Sequence, residues 1–279
     1  LTDDRYGEWV AEEQVRLETG DDLLPSDPTD DLRAEQAMFG YTEDELSELV
    51  APMAEDGHDP VGSMGDDSPL PGVSEFDLPL ASYFRQLFAQ VTNPPIDYLR
   101  EDLVTSLETR LGRQRNLLDE SPEHARQVVL DSPVLADADL DAVRSAGRPA
   151  ATVDLAFAPD EDLESAVGRV QAAAEAAVED GAEVLVLSQR EAGEDTLPVP
   201  SLLATGAVHH RLVREGLRAR VGLVVEAGDV RTVHQLAAAV GYGAGAVNPY
   251  LAVQSVRDLV AGADGPDADD AVASYLGAL

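Results

Sequence analysis

The chain contains no cysteine, and every one of its 19 basic residues is arginine, so lysine is absent too. The missing cysteine excludes disulfides, thiolate-bound zinc, iron–sulfur ligation and thiol catalysis within these 279 residues. The thin basic side has a consequence of its own. Against 54 acidic residues it leaves a formal net charge of −35, a surface that repels nucleic acid and anionic lipid, whose recognition needs clustered Lys and Arg. Nucleic-acid and membrane partners are therefore set aside. No apolar run reaches membrane-spanning length, and no signal peptide precedes Asp3 and Asp4, which points to a cytoplasmic location.

The acids extend from Asp3 to Asp270 and do not form one block, so they are not a binding tail. Spread in this way they repel one another unless salt intervenes, and the screening length falls to roughly 3 Å at 1 M salt. The expectation is a halophilic protein working in a salty cytoplasm. A hydrophobic content of 44% and clear periodicity in the second half mark it as globular.

Residues 1–149 read as a mainly helical and irregular, linker-like part. EWVAEEQVRLE is amphipathic, and LRAEQAMFGYTEDELSELVAPMAEDG holds two helices joined at Gly40. There Thr42 and Glu45 form a capping box, and the helix is expected to stop at or soon after Pro52. A long irregular stretch, VGSMGDDSPLPGVSEFDLPL, leads to ASYFRQLFAQ and YLREDLVTSLETRLG, two helical patterns separated by VTNPPID. Pro94 and Pro95 fix that break, because Pro94 lacks an N–H and each proline drives the residue before it out of the α region. From Gly112 to about Gly147 the chain reads as polar linker with a short helix at SPEHARQ.

From residue 150 to 279 strands alternate with helices. TVDLAFAP, EVLVLSQ, VGLVVEAG and GAVNPY read as strands, each followed by an amphipathic segment, and the Ala-rich DLESAVGRVQAAAEAAVEDG is closed by Gly181. Consecutive βα units imply an α/β fold with a parallel sheet and right-handed crossovers, either half a barrel or an open sheet.

Candidate sites are modest. Gly241, Gly243 and Gly245 could bring backbone amides to a phosphate, but they close a helix and do not open one, where glycine serves capping and packing. Asn248 and Pro249 read as an N-cap and first helical residue. His209 and His210 point about 100° apart on a helix, His234 lies on another, and no HxxxH or HExxH occurs, so core or interface roles outweigh metal binding. Glu226 ends a strand, where parallel α/β folds place functional groups, yet it has no partner that would make it an acid or base. Asp66 and Asp67 suggest a hard-cation site, a pairing expected by chance in so acidic a chain. No catalytic set can be assembled.

The wording of the chain carries more than its motifs. YGEW, QAMFGYTEDEL, APMAEDGHDPVGSMGDDSPL, YFRQLFAQVTNPPIDYLREDLVTSLET, LDSPVL and VPSLLATGAVHHRLVREGLRARVGLVVEAGDVRTVHQLAAAVGYGAGAVNPYLA together closely resemble the central region of the glutamate synthase large subunit. That family makes two glutamates from glutamine and 2-oxoglutarate: glutamine is hydrolysed in an amidotransferase domain, ammonia crosses an internal tunnel, and flavin in a synthase domain reduces the imine. The resemblance implies a connecting, non-catalytic domain between those two, a fragment inactive alone that binds no cofactor or metal. FMN and an iron–sulfur cluster are implied for the full protein, and ferredoxin or an NADPH-oxidising small subunit for its electron supply. It also implies that VTNPPID lies near the ammonia path, with Thr92 and Asn93 as tunnel residues. The family often has a third histidine where Arg211 stands, which puts a role for that position in doubt. The rival readings are a self-contained half-barrel enzyme or binding module that takes a phosphorylated small molecule through Glu226 and the glycine run, and a stand-alone structural adaptor.

Overall fold

The computed structural model describes residues 4–20, 22–25, 28–29, 31–61, 65, 78–85, 97, 99–100, 104–261 and 267–279. Helix α1 (Asp4–Glu13) leads into a short strand, β1 (Val15–Leu17), and α2 (Leu32–Met38) starts where the Asp31 carboxylate accepts the Ala34 N–H. The Thr42 hydroxyl then accepts the Glu45 N–H at 3.1 Å, the expected N-cap. Behind it α3 (Glu43–Glu45) passes through a π-helical turn, Leu46–Val50, into α4 (Ala51–Asp56), which Gly57 ends at φ +68°. The helix ends soon after Pro52, at Asp56, and the wider π turn before the proline gives its ring room within the continuous helix.

The two helical patterns around VTNPPID fare differently from their periodicity. Upstream, the described part is a 3₁₀ turn, Leu80–Tyr83, with Phe84 already extended. Downstream, Leu107 faces solvent and Thr109–Leu111 is strand β2. Leu111 is fully buried, and what it gains by plugging the sheet described below outweighs local helix preference. The elbow itself, residues 91–96, lies outside the described residues. The stretch read as polar linker also holds more structure than expected: a 3₁₀ turn at Pro122–Ala125, β3 (Val128–Leu130) and α5 (Asp137–Ser145). β3 pairs parallel to β1 and antiparallel to β2.

The rest follows the strand–helix alternation. β4 (Ala150–Asp154) and β5 (Ala156–Phe157) precede α6 (Leu163–Glu179), then come β6 (Val184–Ser188), β7 (Leu197–Pro198), α7 (Ser201–Arg214) and β8 (Gly222–Glu226). α8 (Val233–Gly241), β9 (Ala246–Asn248), α9 (Tyr250–Val260) and α10 (Ala268–Ala278) complete it. β4, β6, β8 and β9 form one parallel sheet in chain order, and β5 pairs antiparallel with β7. Because strand order follows chain order, successive right-handed crossovers fall on one face, so the sheet is singly and not doubly wound.

That face packs Val153, Leu185, Leu187 and Leu223 against α6 and α7. The opposite face presents Val184, Val186, Val224 and Ala246 to Leu111, Val128 and Leu130 of the small sheet and to Leu140 and Val143 of α5. Leu111 lies against the strand beginnings: a β-carbon at Gly222 would stand 3.0 Å from its Cα, and one at Gly245 would stand 2.7 Å from its Cδ2. A further cluster joins Phe39, Tyr41, Val50 and Met53 of the N-terminal helical part to Tyr250, Leu251 and Tyr275. No described helix is long and apolar enough to cross a membrane.

Phe39 shows how tightly this last cluster is fitted. Its ring occupies the place of a side chain at Gly228, where a β-carbon would stand 2.5 Å away, while the Tyr41 hydroxyl donates to the Gly228 carbonyl at 3.0 Å. Gly228→Ala should therefore cost about 1–3 kcal/mol through overpacking, seen as a lower denaturation midpoint. Gly168→Ala, in α6 with nothing within 4 Å of its β-carbon, should instead stabilise by about 0.5–1 kcal/mol.

Candidate functional site

The parallel register places Asp154, Ser188, Glu226 and Asn248 abreast at the C-terminal ends of the strands. Active sites of parallel α/β folds are built at this edge. Here the protein's own charges meet one another. Arg190, just past β6, donates from Nε to Glu226 Oε1 at 3.1 Å and from Nη2 to Asp137 Oδ2 at 2.6 Å. Arg144 of α5 donates to Glu226 Oε2 at 2.9 Å and to Asp141 at 3.1 Å. Asn248 Nδ2 donates to Asp137 Oδ1 at 3.0 Å and to the Leu135 carbonyl at 2.9 Å.

The carboxylates at the centre are deeply buried, with Asp137 and Glu226 side chains only 4% and 6% exposed. The Arg190 guanidinium also lies 4.1 Å from the centre of the Tyr250 ring, a cation–π contact. Burial works against its charge, but the Asp137 and Glu226 carboxylates more than compensate, so its pKa is raised. Tyr250 is pushed well above the ordinary phenol value, chiefly by burial. A cavity of about 260 Å³ opens at the network itself, with Asp137, Arg144, Ser188, Arg190 and Glu226 among the residues of its walls. With both guanidiniums bonded to carboxylates, the arrangement ties the strand ends to α5.

Gln189 extends the network to the next loop. Its Oε1 accepts the Gly228 N–H at 2.8 Å, and its Nε2 donates to the Val199 carbonyl at 2.9 Å and to Asp229 at 3.2 Å. Asp229 in turn accepts the Ser201 N–H at the start of α7. Beyond it Arg231, 0% exposed, donates to Glu45 at 2.8 Å and to the Phe39 and Gly40 carbonyls, with Tyr41 stacked 4.3 Å away. A larger cavity, about 1180 Å³, opens between residues 37–45, residues 78–82 and the Gln189, Ser201 and Asp229 side of the sheet.

The other sequence candidates are dispersed. Asn248 is the last residue of β9 and Pro249 is the N-cap of α9, so the expected N-cap assignment shifts by one residue. The strand pairing claims Asn248 because its side chain is needed at Asp137. In the glycine run, Gly243 has φ +118° after α8, and the His209 ring occupies the place its side chain would take. Gly245 is covered by Leu111. Two of the three glycines thus serve close packing, while Gly241 has nothing within 4 Å of its β-carbon position. His210 stacks edge-on against His209 at 5.2 Å, and His234 Nε2 donates to the Ala81 carbonyl at 3.0 Å. Arg211 pairs with Glu175 at 2.7 Å. Among the described residues no group of three or more metal-ligating side chains occurs. Asp66, Asp67, Thr92 and Asn93 lie outside the described residues.

Glu226 was legible in the sequence, whereas Asp137, Arg144, Arg190 and Arg231 were not singled out. The available signal was the rarity of cations, which gives weight to an arginine close behind a buried strand, as Arg190 is behind Ser188 and Gln189.

Comparison with known proteins agrees with the resemblance. Residues 34–279 match the glutamate synthase central domain family. The chain is 40% identical over 255 residues to the glutamate synthase (NADPH) large chain of Bacillus subtilis, covering 90% of this chain and 17% of that one. It is 42% identical over 261 residues to ferredoxin-dependent glutamate synthase 2 of Synechocystis sp., covering 90% and 17% respectively. With the chloroplastic ferredoxin-dependent glutamate synthase of Spinacia oleracea it shares 41% identity over 263 residues, 90% of this chain and 16% of the relative. The chain thus spans only 16–17% of the length of these relatives.

Arg190→Met should leave Asp137 and Glu226 buried without their shared cation, at a cost of about 3–5 kcal/mol, measured by chemical denaturation. A separate pH effect comes from His209, whose Nδ1 accepts the Arg218 Nε–H at 3.1 Å and is thereby kept unprotonated. Burial, then the charges of Arg218 and His210, hold its pKa below the ordinary 6.5. The unfolded chain binds the proton more readily, so the stability His209 lends is present above 6.5 and is lost as pH falls through the depressed value. His209→Gln should flatten the stability profile between 6.5 and the carboxylate range, as followed by thermal melts across pH.

Proposed function

The chain belongs to the glutamate synthase central domain family, and from that premise we propose that it is the central segment of a glutamate synthase large polypeptide. It connects a glutamine amidotransferase domain to an FMN-binding synthase domain. The complete polypeptide makes L-glutamate from L-glutamine and 2-oxoglutarate, with hydrolysis and flavin reduction carried out by the flanking domains. The observation that carries this reading is extent: the match to one named domain runs over residues 34–279, and the relatives are several times longer.

The charge network at the strand ends supports a scaffolding role, because Glu226 is engaged by both Arg190 and Arg144. On this reading the segment is inactive alone. The iron–sulfur cluster belongs elsewhere, since its thiolate ligands have no source in a chain without cysteine, and FMN belongs to the synthase domain. Electrons come from ferredoxin or through an NADPH-oxidising small subunit. The charge of −35 supports a salt-rich cytoplasm as the setting.

The reading extends to the ammonia path. Thr92 and Asn93 offer a hydroxyl and an amide, which exchange hydrogen bonds with ammonia without holding it as ammonium, as a carboxylate would. The cavity of about 1180 Å³ touches residues 78–82, which lead toward the elbow in sequence, and supplies room for a small passenger. In the complete polypeptide Thr92→Val with Asn93→Ala should leave glutamine hydrolysis running while glutamate formed per glutamine falls and free ammonia appears. Unchanged stoichiometry in a paired glutaminase and glutamate assay would return the elbow to being a turn.

A further inference from the structure

The cavity of about 260 Å³ at the C-terminal strand ends has walls of one kind. All nine described residues in them are polar: five carboxylates, two guanidiniums and the hydroxyls of Thr152 and Ser188. Cavities left by imperfect packing are apolar, because polar walls are costly without a partner. This one also lies at the edge where parallel α/β folds hold their ligands.

Several wall groups keep bonding capacity after the network has taken its share. Arg144 places one N–H on Asp141 at 3.1 Å and one on Glu226 at 2.9 Å. A guanidinium has further N–H donors, and this side chain is 32% exposed, so those donors can reach a bound molecule. Asp154 spends Oδ1 on the Ala156 N–H at 2.8 Å and keeps Oδ2. Glu191 is exposed and stands in the same walls. Unspent donors and unspent carboxylate oxygens thus line one small space.

The excess of carboxylates over guanidiniums calls for a cation, yet among the described residues no three metal-ligating side chains are gathered as a metal ion needs. An organic ammonium tolerates a wider spacing. The remaining N–H groups of Arg144 call for an anionic acceptor, and carboxylate is the group its fork fits. One molecule that carries both charges meets both demands. The volume is below the roughly 300–1,000 Å³ of drug-sized pockets, and no apolar wall is there to receive a hydrocarbon side chain. We propose that the cavity binds a free α-amino acid with a small polar side chain, its carboxylate at Arg144 and its ammonium at Asp154 and Glu191. Bound there, it joins β4, the loop after β6 and α5 at the joint that Arg190 already ties. This is a ligand-binding role beyond the connecting one.

The test uses the complete polypeptide at constant salt, with hydrogen exchange followed peptide by peptide. L-Serine should slow exchange in α5 and in residues 188–191 about threefold or more. Ethanolamine, which lacks the carboxylate, and 3-hydroxypropanoate, which lacks the ammonium, should leave these peptides unchanged, as should L-leucine. Asp154→Asn with Glu191→Gln changes two exposed side chains and keeps Asp154's Oδ1 acceptor for Ala156. It should raise the L-serine concentration for half protection about tenfold or more, with ligand-free exchange as in the parent. Ethanolamine acting as strongly as L-serine would overturn the proposal. So would an unchanged midpoint in the double variant, or no slowing with L-serine. Because the readout is confined to these peptides, either result stands whether or not the flanking domains are those proposed above.

Discussion

The rim of the parallel sheet depends on one guanidinium. Arg190 joins β6, from which it emerges, to Glu226 at the end of β8 and to Asp137 at the start of α5, and it lies on the ring of Tyr250 at the start of α9. Elements far apart in sequence thus converge on a single side chain. A buried ion pair of this kind adds little net stability compared with a well-packed apolar replacement, because removing charges from water is costly. Its value lies in direction: the planar fork has fixed bonding lines, so the strand ends and α5 can meet in few ways other than the observed one.

The composition explains why arginine performs this work. Lysine presents a strongly hydrated point charge, whereas the guanidinium stacks on aromatic rings and serves several acceptors at once. The chain uses both properties where cations are buried. Arg231 reaches two carbonyls and Glu45 while lying 4.3 Å from the Tyr41 ring, and Arg218 serves the Val221 and Gly243 carbonyls at 2.7 and 2.9 Å. Its few cations are thus concentrated partly at joints, and many of the 54 acids remain at the surface, where hydration and screening by salt limit their repulsion.

The α/β part was readable because its strands are long enough to show their pattern: β6 and β8 are runs of apolar residues fully buried on both faces, and α6 has a clear capping aspartate and a terminal glycine at φ +103°. The small sheet was not readable. Three-residue strands such as TRL and VVL are too short for any period to emerge, and their pairing is between segments distant in sequence. The same physics divides the site. Glu226 could be placed at a strand end from the sequence, but its meaning comes from Arg144 and Arg190, which only the folded chain brings within hydrogen-bonding distance.

The geometry of a singly wound βα sheet leaves polar groups at the C-terminal strand ends, and in many such folds a ligand satisfies them. Here α5 supplies Asp137 and Arg144 from one side, and the Gln189 amide closes the adjoining loop by bonding Gly228, Val199 and Asp229. Contacts within the chain take up many of those groups, and they continue outward: the loop fixed by Gln189 is the one that carries Arg231, which bonds the segment from Phe39 to Glu45. A displacement of the N-terminal helices would therefore have to break buried charge contacts at Arg231 before it could move the strand ends. Such a chain of contacts links the N-terminal helices to the strand ends through buried charge.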